Sequence, residues 1–201
     1  MAILTNMSVP TTSGNNLLLM PKLQNRFRVS FLFDNAQIIT GNVVSVTRPT
    51  LTFEEVQLHA YNSRVYVAGK HEWNAVTVVI RDDVNSQTIR ELDRQLNRQI
   101  DMASQSTPTA ASAFKFVTQI ETLDGTNGTD PGVLDQWSLV GTFIQNIEYG
   151  NNDYSDSTPI QVSVTLRYDS AIHSIPGDDD TLSGQFVQTN EQNATGGGVG
   201  Q

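Results

Sequence analysis

Residues 48–83 read RPTLTFEEVQLHAYNSRVYVAGKHEWNAVTVVIRDD, and this stretch sets the architecture. Leu51 and Phe53 alternate with polar residues, and so do Val56, Leu58 and Ala60. The phase slips at Glu54 and Glu55, which predicts a bulge or bend in one long strand. Tyr61, Asn62 and Ser63 suit a turn. Alternation resumes over residues 64–68, Gly69 punctuates, and Val76, Val78 and Ile80 make a third run. The pattern is a long β-hairpin leading into a further strand. Its far end carries Phe53, Tyr61, Val65, Tyr66 and Val67, apolar groups on both sides. Such a ribbon is hard to bury within one subunit, which points to assembly.

Around this stretch the sequence reads as a mainly β chain with one helix. Arg26 opens a strand in which Phe27, Val29, Phe31 and Phe33 point one way and Arg28 and Ser30 the other. Asp34 and Asn35 form a turn, and residues 38–46 form a strand region interrupted by Gly41. After the hairpin, Asp82 and Asp83 suit a helix N-terminus, with Asn85 or Ser86 as the cap. Ile89, Leu92, Leu96, Ile100 and Ala103 recur at helical spacing over residues 87–103. Arg90, Glu91, Arg94 and Arg98 occupy the opposite side, where Glu91 and Arg94 are spaced to pair. Residues 104–112 are a linker, strands resume over 114–123, and residues 124–132 are a loop. Residues 137–149 place Trp137, Leu139 and Phe143 on one face and Val140 and Ile144 on the other, a strand covered on both sides. Ile160, Val162, Val164, Leu166 and Tyr168 alternate with Gln161, Ser163, Thr165, Arg167 and Asp169, a half-buried strand with a polar face. The organisation expected is an arm over 1–22, a β domain over 23–175, and a flexible acidic, Gly-rich extension over 176–201.

Composition excludes several functions. The chain of 201 residues contains no Cys, so thiolate metal sites and Cys nucleophiles are ruled out. It has no signal-peptide-like N-terminus and no long apolar run, so no membrane insertion is expected, and the triplets at Asn6, Asn127 and Asn193 are chance matches. Residues 1–98 hold ten Lys/Arg against eight Asp/Glu, and residues 99–201 hold two against thirteen. A chain this acidic repels a phosphate backbone, because nucleic-acid affinity comes from cations that neutralise phosphates. His59 and His71 could meet across the hairpin, but no third ligand stands at metal spacing. Asp124, Asn127 and Asp130 miss the spacing of a calcium loop and lack its closing Glu. No nucleophile elbow, phosphate loop or dinucleotide fingerprint occurs. The expectation is therefore no catalytic residue, no metal and no cofactor.

The segment AGKHEWNAVTVVIRDD, residues 68–83, resembles the Ala-Gly, aromatic, Val-Thr-Val, Asp segment of tail tube proteins from contractile-tailed bacteriophages of the T-even type. Arg64, a few residues upstream, fits that pattern. NRFRVSF, from Asn25, is similar to the family's first strand, and IQVSVTLRYD, from Ile160, to its last. The resemblance spans about residues 21–170; the longer arm, the loop at 124–132 and the tail after Asp169 depart from it. It implies a small antiparallel β-sandwich or half-open barrel with one helix, its sheets joined into a continuous barrel in a hexameric ring. Rings stack through the long hairpin into a hollow conduit for DNA inside a contractile sheath, with baseplate and tail terminator proteins as further partners. The location implied is the virion tail, after synthesis in the host bacterial cytoplasm. On this reading the inter-subunit and inter-ring contacts fall to Phe53, Val56, Leu58, Tyr61, Arg64, Tyr66, Val67, Gly69, Lys70 and Trp73. Arg90, Glu91, Arg94 and Arg98 face the sheath, and DNA passes an acidic lumen without specific binding. The alternatives are the tube of a related bacterial contractile secretion or injection system, and a small β-class binding module or enzyme.

Overall fold

The computed structural model describes residues 21–33, 36–39, 41–126 and 131–176. Strand β1 (Phe27–Phe33) follows the expected alternation, burying Val29, Phe31 and Phe33. The expected turn at Asp34 and Asn35 lies outside the described residues. The region around Gly41 divides into β2 (Ala36–Ile39) and β3 (Val43–Val46), which take different partners. The remaining strands are β4 (Leu51–Ala60), β5 (Ser63–Trp73), β6 (Val76–Arg81), β7 (Phe116–Leu123), β8 (Val133–Glu148), β9 (Gln161–Arg167) and β10 (Ser170–Ser174). A helix, α1 (Gln87–Gln99), joins β6 to β7.

All the described strand pairs are antiparallel. The main sheet runs β2-β1-β7-β8-β9-β6-β3, with β10 also on β8, while β4 and β5 form a sheet of their own. Strand β8 belongs to two layers. Its first part pairs with β7 along one edge and with β10 along the other; from Phe143 onward it pairs with β9. The layers fold about β8 into a half-open barrel, and the end strands β2 and β3 do not pair with each other. The single subunit is thus mainly β with one helix among the described residues, as expected, and is not a closed barrel. Val76, Val78 and Ile80 of β6 meet Val162, Val164 and Leu166 of β9 in the core. Phe31, Phe33 and Phe116 pack at ring-centroid distances of 4.8 to 6.3 Å, geometries that favour edge and offset contacts.

Several expectations are corrected. Simple alternation places Leu139 and Ile144 on opposite faces of their strand, yet both are buried. The parity of the buried positions changes at Gly141, which has a φ of 70°, and the Thr142 hydroxyl donates to the Leu139 carbonyl at 3.0 Å. This irregularity turns the two halves of β8 towards one core, so the apparent two-sided apolar strand is a one-sided strand with a phase change. The helix is shorter than 87–103. Ile100 is extended at φ −150°, and Ile100 and Ala103 lie beyond α1. The Asp101 side chain there accepts from the Ala103 N–H at 2.9 Å and from the Ser104 hydroxyl at 2.6 Å, a local turn that competes with helix. Ser86 holds the cap position in a left-handed conformation without a capping side-chain bond. The carboxylate of Asp83 instead accepts from the Gln87 N–H at 3.3 Å.

Strand β7 begins at Phe116, after a 3-10 turn over Ala111–Ala113, rather than at residue 114. Strand β8 begins at Val133, earlier than the expected start at 137. Strand β10 has no counterpart in the sequence pattern; Ala171 is its only fully buried apolar residue, a signal too short to read. Lys22, the last residue of the expected arm, reaches back to Asp135 at 2.5 Å. Residues 1–20 of that arm, residues 127–130 of the long loop and the C-terminal extension from residue 177 onward lie outside the description.

The Gly141 position yields a direct test. A β-carbon there would stand 2.2 Å from an Asp169 carboxylate oxygen, on a backbone that L side chains rarely adopt. Gly141→Ala is expected to cost about 1–3 kcal/mol, read as a lowered urea midpoint. An unchanged midpoint would show that β8 keeps its phase change without a glycine.

Candidate assembly surfaces

The β4–β5 hairpin is exposed on both faces. Directly opposed residues share a face. Val56 faces Val67 and Leu58 faces Val65 on one side; on the other, Phe53 faces His71 and Gln57 faces Tyr66. Phe53, Val56, Leu58, Val65, Tyr66 and Val67 are all exposed, Phe53 at 56%. Tyr61 stands fully exposed at the tip with a φ of 23°. Arg64 and Lys70 are exposed as well.

The register also relocates the irregularity. Phe53 pairs with His71 and Glu55 with Ala68, so Glu54 opposes both Gly69 and Lys70. The extra residue is therefore in β5, and Gly69 is a bulge within a continuous strand rather than a break. A β-carbon on Gly69 would lie 3.0 Å from the Glu54 carbonyl oxygen. Leu51 and Phe53 differ in phase from Val56 and Leu58 because they lie on opposite faces of a regular β4, which is how both faces become apolar.

The base of the hairpin is fixed. Trp73, expected among the contact residues, is 7% exposed and belongs to the subunit's own core. Its ring lies 6.0 Å from Tyr168 and 6.5 Å from Trp137, and Trp137 stacks on His173 at 4.3 Å. Arg167 on β9 donates to Glu72 at 2.6 Å, and the Asn74 N–H donates to the Thr50 carbonyl at 2.9 Å. A two-stranded ribbon alone is at best marginal in water. Here packing at the base holds it in one direction while its outer length stays exposed.

Helix α1 presents a second surface. Leu92 is buried, and Ile89 and Leu96 pack on the core. Arg90, Arg94 and Arg98 are exposed, and Arg94 pairs with Glu91. Polar residues that periodicity does not reveal also fix the helix. Buried Gln95 donates to the Phe114 carbonyl, and Gln99 donates to the Ile144 carbonyl at 2.9 Å. Tyr149 donates to Asp93 at 2.6 Å; that bond, with burial and the Asp93 charge, pushes the phenol up to about 12.

The histidines do not converge on the hairpin. His59 stands opposite Arg64 near the tip, and His71 opposite Phe53 near the base. Among the described residues no three His, Cys, Asp or Glu groups gather at metal-binding distance. Asp124 accepts from the Thr126 N–H and hydroxyl, each at 2.9 Å, as an ordinary loop residue does. No helix of the described residues is long and apolar enough to cross a membrane.

No protein-family model matches the sequence, and no curated protein matches it. Solved structures do share its fold. A chain of the anti-feeding prophage baseplate, from a six-fold symmetrised cryo-EM structure, is similar at 18% identity with a TM-score of 0.61, covering 77% of this chain and 96% of that one. A chain of the PVC extracellular contractile injection system, from its sheath-tube complex in the extended state, matches at 15% identity with a TM-score of 0.61, covering 79% and 94%. A chain from the tube-terminating cap of the anti-feeding prophage matches at 15% identity and a TM-score of 0.62, covering 83% and 99%. The fold is thus that of proteins from contractile injection systems, and it extends over nearly the whole of each.

Asp135 supports a prediction about stability. It is buried, and burial works against its charge. Hydrogen bonds from Lys22 and Thr122, with the charges of Lys22 and Arg48, outweigh that effect and hold its carboxyl below the ordinary value. A carboxylate whose folded pKa is depressed stabilises above its unfolded value, near 3.9, and loses that contribution as pH falls through the folded value. Asp135→Asn should therefore cost about 1–3 kcal/mol at pH 7, with the difference from wild type shrinking below about pH 4. Urea unfolding at both pH values is the measurement; a cost that does not change with pH would assign the effect to packing instead.

Proposed function

We propose that the chain is a structural subunit of the hollow tube of a contractile machine, with no catalytic role. The observation that carries this is the hairpin. Two long strands, held at the base by Trp73 and apolar on both faces, extend from a subunit in which none of the described residues covers them. Burial contributes about 25 cal/mol per Å² of apolar surface removed from water, so a neighbour that covers both faces gains substantially. The unclosed barrel supports the same reading, because joining β-sheet edges around a ring removes exposed edges. The fold shared with sheath-tube and cap chains of contractile injection systems adds support.

In detail, subunits join into hexameric rings, and rings stack through residues 51–70. The tube belongs to a bacteriophage tail, is made in the host bacterial cytoplasm, and contacts sheath, baseplate and terminator proteins. The charged side of α1, with Arg90, Glu91, Arg94 and Arg98, faces the sheath. The polar side of β9, with Ser163, Thr165 and Arg167, faces the lumen. Arg167, which would hold DNA if unpaired, is occupied by Glu72. A lining without spare cations lets a phosphate backbone pass, since each Lys/Arg–phosphate contact adds about 0.9 to the log–log salt slope of binding. The phage reading is supported by the resemblance of residues 68–83. A second reading, a tube that delivers protein from an injection system, is favoured by the source of the similar solved structures. DNA-filled capsids on purified native particles would support the first; capsid-free particles would support the second.

Two experiments test the surfaces. Tyr61→Ser combined with Tyr66→Ser should leave a folded protein and abolish tube growth in negative-stain microscopy. Normal tubes from this variant would sink the stacking proposal. Arg94→Glu combined with Arg98→Glu should weaken sheath assembly at physiological salt while bare tubes still form; unaltered sheath would mean that this face is merely solvated.

A further inference from the structure

The two ends of β6 lead to different surfaces. At its start Val76 stands opposite Leu166, and the hairpin joins the sheet there through Trp73. At its other end Arg81 stands opposite Gln161, and the Asp82 N–H donates to the Ile160 carbonyl at 3.0 Å. β6 has six residues, so these ends lie ~17 Å apart. The end away from the hairpin is also apolar: Val84 and Tyr154 are fully exposed there, and Ile160 is partly exposed. Tyr154 and Ile160 belong to the β8–β9 loop, which lines an open hollow of about 740 Å³ between Gly150 and Gln161. The loop is shaped within the subunit. Gly150 has a φ of 79°, and a β-carbon on it would stand 2.5 Å from the Gln161 carbonyl oxygen. Asp153 and Asp156 accept from the Ser155 and Thr158 N–H groups, each at 2.9 Å.

The hairpin and this loop are complementary. Residues 56–67, the outer length of the hairpin, carry His59 and Arg64 and no carboxylate. Residues 149–160 carry Asp153 and Asp156 and no Lys, Arg or His. Arg81 stands at the loop's end of the sheet, but Asp82 and Asp83 follow it directly. Each surface also exposes aromatic and aliphatic groups: Leu58 and Tyr61 on the hairpin, Tyr154 and Ile160 on the loop. The two surfaces lie at opposite ends of β6, so they do not meet within one subunit. A second copy in the same orientation brings them together. A contact between unlike patches at opposite ends repeats from copy to copy without closing on itself, which builds a stack.

We propose that the hairpin of one subunit docks on the β8–β9 loop of the next copy, with Leu58 and Tyr61 against Tyr154 and Ile160, and Arg64 beside Asp153 and Asp156. This rests on the tube reading, in which rings stack through residues 51–70, and it names the surface that receives them. The aromatic rings anchor the contact, as Tyr does at protein interfaces. The exposed charges set its orientation more than its strength.

Because the protein has no cysteine, a cysteine pair at the two surfaces reports the contact. Asn62 and Asn152 are both exposed. Asn62→Cys with Asn152→Cys, oxidised under assembly conditions, should give a ladder of interchain disulfides that extends past dimers. Asn62→Cys with Arg94→Cys, which places the second thiol on α1, should give none past dimers. Microscopy of the same samples separates the two readings. Tubes without the ladder, or with an equal ladder from the control pair, would overturn the docking and leave the tube reading intact. Failure of the wild-type chain to form tubes would overturn the tube reading and the docking with it. Tyr154→Ser, which leaves the core untouched, should raise the concentration at which tubes first appear about tenfold, the scale of one aromatic anchor. An unchanged concentration would also overturn the docking.

Discussion

The structure depends on one strand serving two sheets. Strand β8 pairs with β7 and β10 over its first part and with β9 over its second. Side chains alternate along any regular strand. A strand that bends from one layer of a barrel to the next must keep its apolar side on the same core, and a phase change at Gly141 achieves this. The glycine is required twice over, by a backbone φ of 70° and by the approach of Asp169. Around this hinge Leu139 and Ile144 face one interior, which β1, β6, β7 and β9 complete.

A closed barrel would satisfy its own edges. This one leaves the path open between β2 and β3, and it extends a ribbon whose apolar groups find no cover among the described residues. Both features are unfavourable for an isolated chain and favourable for a repeating assembly, in which a neighbour supplies the missing edge and the missing face. Trp73 fixes the direction of the ribbon at its base. A flexible hairpin would pay an ordering cost on association, whereas one wedged between Tyr168 and Trp137 is already directed.

Charge is distributed by pairing more than by sign. The sequence suggests an acidic second half, yet Glu121 is matched by Arg28 at 2.5 Å, Asp135 by Lys22 and Asp169 by Lys115 at 2.5 Å. Asp153 and Asp156 lie in the loop after β8, where they accept hydrogen bonds from Ser155 and Thr158. The sheet surface is accordingly polar and largely compensated. Lys22, Arg26, Arg48 and Arg81, from separate parts of the chain, line a cleft beside β3.

Elements with a local signal are legible in the sequence alone. Strict alternation in β6 and β9 identifies half-buried strands because a strand with one face on a core repeats every second residue. The three- and four-residue spacing of Ile89, Leu92 and Leu96 identifies the helix for the corresponding reason. The two-sided apolar hairpin is legible because its excess of exposed hydrophobic groups does not depend on where the rest of the chain goes. Other features exist only through contacts between distant residues, and the folded chain alone reveals them. Gly141 switches the face of β8 at a point where Asp169 leaves no room for a β-carbon; Trp73 is part of the subunit's core because Tyr168 and Trp137 meet it there. The end of α1 is set by competition from the Asp101 side chain, and strand β10 exists because β8 offers it a free edge. Periodicity records which residues avoid water; it does not record which partner they find, and in a barrel built around one shared strand the partner decides the face.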